Sequence, residues 1–192
     1  MMPAGPALPV HVDQREDLAG GLASAVFDES REYRYLLTRI WDPSRKPMVF
    51  VMLNPSTADA FVEDPTIRRC LSFAKREQAG GVVVVNLFGL RSTDPRALRH
   101  HPDPVGPLND VFIRQATAGA SMVVAAWGAA GVEHGRGARV TETLLARGVE
   151  LQCLGTTSTG QPRHPLYLPG TAVLEPYGRL FDGLVEKREA SS

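Results

Sequence analysis

Two cysteines, Cys70 and Cys153, are all that 192 residues contain. One chain with so few cannot build a four-cysteine zinc site or a four-cysteine iron–sulfur cluster, and an unlinked pair suits a reducing, cytoplasmic setting. Net charge is missing as well: 21 basic residues balance 21 acidic ones. That excludes a protein that coats nucleic acid or an anionic membrane through its overall field, although a local basic face stays open. No apolar run approaches the roughly 20 residues that a membrane helix needs. The opening MMPAGPALPVHVDQRED also lacks the basic start and apolar stretch of a secretion signal. What is present, 43% hydrophobic and 22% charged side chains, is enough for one ordinary core and too apolar for a disordered chain.

Residues 1–22, rich in Pro, Ala and Gly, read as a tail in which 10–12 could add an edge strand; 23–187 read as a single domain and 188–192 as a second tail. Within the domain, residues 25–28 and 34–41 read as a strand pair leading into the apolar run 47–53. A continuous run of that kind fits a strand covered on both faces. Asp64-Pro65 opens a helix in which Ile67, Cys70, Leu71 and Ala74 recur at helical spacing, and Gly80-Gly81 stops it. Valines 82–85 make the next strand, 108–118 a helix, 122–126 a third strand, 135–147 a helix, 150–154 a fourth strand and 177–186 a last helix. Apolar strands alternating with helices predict an α/β three-layer sandwich, its central sheet largely parallel and flanked by helices, with the N-terminal strand pair attached.

In such sheets ligands bind beyond the carboxyl ends of the strands. There the sequence places Asn54-Pro55-Ser56-Thr57, then Asn86-Leu87-Phe88 with Arg91, then Trp127-Gly128, and finally Gly155-Thr156-Thr157 leading to Arg163-His164-Pro165. Asparagine amides and an imidazole are suited to reading the edge of a planar heterocycle. They are poor tools for hydride transfer, and the glycines of 128–137 lack the spacing of a phosphate-binding fingerprint. Taken alone, residues 54–57 also read as a simple turn, Asn86 as a structural hydrogen-bonding residue, His164 as a loop histidine and Trp127 as a core aromatic. His100, His101 and His134 form no close-spaced ligand pair, so no metal is expected.

The strings LNPSTAD, DPTIRRC, VVNLFGLRSTDP, AAWG and GQPRHPLYL resemble a bacterial and phage family, domain-of-unknown-function family 1643, over about residues 25–175. The layout also resembles the uracil-DNA glycosylase superfamily, whose fold is a parallel sheet between helices. That second resemblance implies roles: Asn54 positions the attacking water, Asn86 reads the base with Ser56 beside it, and His164 hydrogen-bonds the departing base. It further implies an aromatic platform, for which Phe88 and Phe61 are the candidates, and phosphate or loop contacts from Arg91, Arg68 and Arg163. Residues 64–101 hold seven Lys or Arg against three acids, a local excess of four that suits a backbone-contacting face or a solvated helix surface.

The sequence departs from the superfamily at two telling places: position 54 is a neutral Asn where the most active branches carry a carboxylate, and Leu166 stands where a serine usually follows His-Pro. Catalysis would then rest on water positioning and on His164, with Asp59, Glu63 and Asp64 as nearby carboxylates. The expected function is a cofactor-free glycosylase-like protein that binds a base extruded from DNA or RNA and hydrolyses its N-glycosidic bond. A non-catalytic reader of a modified base or nucleoside is the alternative, as is a hydrolase or transferase of a small nucleoside-like metabolite.

Overall fold

The computed structural model describes residues 9–57, 61–62, 64–94 and 96–178. Its strands form one eight-stranded mixed sheet in the order β1-β2-β3-β5-β4-β6-β7-β8. The strands are β1 Val10–Glu16, β2 Leu22–Asp28, β3 Arg34–Ile40, β4 Met48–Met52, β5 Gly81–Asn86, β6 Met122–Ala125, β7 Leu151–Cys153 and β8 Glu175–Pro176. The helices are α1 Pro65–Arg76, α2 Ala97–His100, α3 Asn109–Ala118 and α4 Arg136–Ala146.

The expected largely parallel sheet needs correction. Only β4–β5, β4–β6 and β6–β7 pair in parallel, whereas β1–β2, β2–β3, β3–β5 and β7–β8 are antiparallel. The cause is local. Parallel neighbours need a long crossover, whereas β1, β2 and β3 follow one another through tight turns, which forces them to run antiparallel. In the first turn Asp17 accepts from the backbone N–H of Ala19 at 2.9 Å and Gly21 at 2.8 Å. In the second, Asp28 accepts from the N–H of Tyr33 at 2.7 Å. The anticipated strand pair is thus a three-stranded meander, and β1 lies within the segment read as a tail.

The strands β4 and β5 are buried at every position, as a two-sided strand must be. Met48, Phe50 and Met52 face one core with Ile67, Cys70 and Phe73 of α1. Val49 and Val51 face the other with Ile113 of α3 and Val140 and Leu144 of α4. This period-two division sets helices against both faces of the sheet, each large apolar side chain gaining about 1.5–3 kcal/mol from burial. Asp64 caps α1 by accepting from the Ile67 N–H at 2.8 Å, and Pro65 fills the first turn, where no N–H is needed. Gly80 is required just after the helix because a Cβ there would overlap the Asp42 and Arg45 carbonyls. Tyr177 is not helical; its N–H donates to the Leu151 carbonyl at 2.8 Å, extending the β7–β8 edge. The remainder of the helix expected over 177–186 lies outside the described residues.

Candidate functional site

A cleft of about 560 Å³ opens where β4, β5 and β6 end and α1 begins. Asn54, Ser56, Asn86, Arg163 and His164, all singled out from the sequence, line it. So do Arg34, Asp64, Trp127 and Tyr167. Met52, Ile67 and Val84 form its apolar wall and belong to the core beneath α1.

Asn54 follows β4, and its Nδ2 donates to the carbonyls of Ser92 at 2.9 Å and Pro55 at 3.2 Å, with Leu90 at 3.5 Å. These contacts fix the amide orientation and leave Oδ1 as the acceptor available to the cleft. The same bonds tie the loop after β4 to the loop after β5, as does the Ser92 N–H to the Pro55 carbonyl at 2.9 Å.

Asn86 ends β5 on the face shared with Val82 and Val84. It is 3% exposed, and among the described residues its side chain makes no hydrogen bond, so its amide remains for whatever enters the cleft. Its backbone is held from behind: Asn109 Nδ2 donates to the Asn86 carbonyl at 2.9 Å and to that of Leu87 at 3.1 Å.

His164 caps a 3-10 turn, Pro165–Tyr167, by accepting the Leu166 N–H on Nδ1 at 3.3 Å. In the neutral ring the proton therefore sits on Nε2, giving a donor. Burial pushes the His164 pKa below its usual value, against the opposing pull of Asp64, so the neutral form prevails at neutral pH. Tyr167 lies beside it, ring centroids 5.6 Å apart, and is largely exposed. Trp127 is buried, donating from Nε1 to Gln161 Oε1 at 3.0 Å. Gly128, at φ +74°, makes the turn that follows it.

Other expected residues fall elsewhere. Phe88 is fully buried in the core on the opposite face of the sheet, edge-on to His134. Phe61 packs against the α1 core with the Arg15 guanidinium 4.1 Å from its ring centre. Arg91 makes loop contacts, donating to the carbonyls of Arg31 and Thr57, each at 2.9 Å. Arg68 is exposed on α1 and outside the cleft lining. Most of the local basic excess is engaged: Arg76 donates to the Gly170 and Ala172 carbonyls, Arg69 to the Leu168 carbonyl, and Arg96 and Arg99 pair with Asp94 and Glu133.

Arg34 went unnoticed in the sequence. Its one signal is a charged residue opening the strand RYLLTRI. Tyr167, three residues after His164, was equally readable as a loop aromatic. Among the described residues no three His, Cys, Asp or Glu side chains are grouped to hold a metal ion, and no helix is long and apolar enough to cross a membrane.

A family model described as a protein of unknown function, DUF1643, matches residues 34–166. The chain belongs to that family. No curated protein and no solved structure matches it. The DUF1643 span begins at Arg34 and takes in every cleft-lining residue except Tyr167.

Proposed function

We propose that the cleft is a nucleobase pocket, and that the protein binds a base extruded from DNA or RNA and hydrolyses its N-glycosidic bond in the manner of the uracil-DNA glycosylase superfamily. The observation that carries this reading is the convergence of Asn54, Asn86 and His164 on one cleft beyond the ends of β4, β5 and β6. The three offer complementary hydrogen-bonding chemistry. Asn54 Oδ1 accepts from a water, Asn86 pairs with a base edge, and the Nε2–H of neutral His164 donates to the oxygen of a leaving base as negative charge develops there. Tyr167 replaces Phe88 and Phe61 as the stacking platform; such a platform offsets part of the few kcal/mol that extrusion costs.

A second reading, a binder of a modified base or nucleoside that does not cleave it, is favoured by the carboxylate chemistry. Asp64 is the only carboxylate among the described residues that lines the cleft, and its Oδ1 is occupied in capping α1. Incubation of the purified protein with single- and double-stranded substrates carrying uracil and a panel of modified bases separates the two. Base release that Asn54→Ala abolishes while binding persists supports the hydrolase, saturable binding without release supports the binder, and neither outcome rejects the pocket.

A further inference from the structure

Arg34 is 5% exposed and makes neither a side-chain hydrogen bond nor an ion pair among the described residues, and its Nε is enclosed without any partner. Enclosure is a large cost for a cation without a hydrogen-bonded partner, and a buried guanidinium is ordinarily matched by a carboxylate or by several carbonyls; Asp64 acts on Arg34 only through its field. Burial, with Arg91 and Arg39 nearby, lowers its pKa to about 10 against the opposing effect of Asp64, which still leaves it charged at neutral pH. It lines the cleft with the buried Asn86, Met52 and Val84, as does Thr66 in the first turn of α1. A helix start adds a favourable field for negative charge at the same place.

We infer that Arg34 is the anchor of an oxyanion subsite in the floor of this cleft, so that the natural ligand buries a compact phosphate or carboxylate group there. The geometry distinguishes this from a surface phosphate track. Arg69, Arg76, Arg91, Arg96 and Arg99 are engaged with carbonyls or acids, while the enclosed guanidinium of Arg34, which makes no side-chain hydrogen bond among the described residues, lines the cleft. An anion with two or three oxygens can accept from its fork of N–H donors, with Asn86 contributing a further donor. Asp64 opposes an anion, but its Oδ1 is directed to the Ile67 N–H. The inference deepens the pocket reading by adding an anionic group to the ligand, as on a nucleoside monophosphate, and it rests on that reading only for the nucleoside part.

The test uses the full chain and inorganic phosphate, with acetate as the carboxylate probe and sodium chloride at matched ionic strength as the control. Phosphate or acetate should raise the melting temperature of the wild type and bind saturably in calorimetry. Arg34→Met should melt at or above the wild-type temperature without the anion, because it removes an enclosed charge that no protein group hydrogen-bonds, and should bind the anion at least about tenfold more weakly. Absence of protection by both anions overturns the inference, as does equal protection of Arg34→Met. Loss of folding in both Arg34→Met and Arg34→Gln also overturns it, since a side chain without protein partners is not needed by the fold. Comparing a nucleoside with its 5′-monophosphate separates the two claims. Phosphate binding with no response to any base or nucleoside removes the base pocket and leaves the subsite standing, whereas equal affinity for both compounds with no response to phosphate or acetate does the reverse.

Discussion

Strand β5 ends between two pairs of identical residue types, Arg136 with Asn109 behind it and Arg34 with Asn86 at the cleft. Burial does not distinguish them: Arg136 and Asn109 are 6% and 0% exposed, Arg34 and Asn86 5% and 3%. Commitment does. Arg136 Nε donates to the Leu87 carbonyl at 2.8 Å and its guanidinium pairs with Asp110, while Asn109 Nδ2 bridges the Asn86 and Leu87 carbonyls. The cleft-side pair makes no side-chain hydrogen bond among the described residues; of the rear pair, Asn109 Oδ1 is also enclosed without a partner, so the contrast there rests on the two bonds from its Nδ2. Buried polar groups that hold the backbone stabilise the fold, whereas those left without partners are a cost that function must justify.

Matched substitutions break that comparison most sharply at Arg136. Severing a fully enclosed ion pair costs about 3–5 kcal/mol. The Asp110 side chain is 52% exposed and the Leu87 carbonyl keeps its bond from Asn109 Nδ2, so for Arg136→Met the expectation is about 1.5–3 kcal/mol, the worth of a hydrogen bond given by a charged group. Urea unfolding should record that loss, with Arg34→Met unaffected or stabilised. Equal destabilisation of the two variants would erase the distinction between them.

Asparagine gives the next contrast. Asn109→Ala should lose about 1–2 kcal/mol through the bonds it gives to the Asn86 and Leu87 carbonyls, the second of which keeps the Arg136 donor. Asn86→Ala, which breaks no hydrogen bond among the described residues, should lose less than about 1 kcal/mol yet weaken nucleoside binding by about tenfold. Tyr167→Ala touches only the mouth of the cleft. Its melting temperature should stay within about a degree of the wild type, while base affinity falls by the roughly 1 kcal/mol at the lower end of aromatic stacking. Stability and affinity falling together in Asn86→Ala would return Asn86 to the structural class.

These contrasts also mark where the sequence was readable. The fully buried β4 and β5 and the capped α1 are written in local signals, an apolar run, a valine run and Asp-Pro, so their ends and the polar residues just after them were found. Arg34 was missed for a topological reason. Ligand-binding residues are expected at the carboxyl end of each strand, but β3 runs antiparallel to β5, so its first residue meets the carboxyl end of β5, with the Arg34 N–H on the Gly89 carbonyl at 2.9 Å. Strand direction depends on which distant segments pair, and that is not a local property. Phe88 was misjudged on similar grounds: the chain turns after Asn86, and the side to which the following aromatic falls is set by the α3 and α4 packing.

The smallest effect concerns His164, which like Asn54 is both committed and available: Nδ1 caps its turn and Nε2 serves the cleft. Its pKa is lowered in the folded protein, chiefly by burial, so near and below the usual 6.5 the unfolded chain binds more protons than the folded one. Stability therefore rises with pH in that window: the contribution is complete above the unfolded value and is lost as pH falls through it toward the lower folded value. Melting temperature measured from pH 8 to pH 5 should fall at the acid end, and His164→Gln, which cannot titrate, should show a shallower fall. Any base release should decline over the same window, because protonation displaces the Leu166 N–H from Nδ1 and turns the ring. A wild-type and a Gln variant with superimposable pH profiles would show that His164 is not the group whose neutral form the cleft maintains.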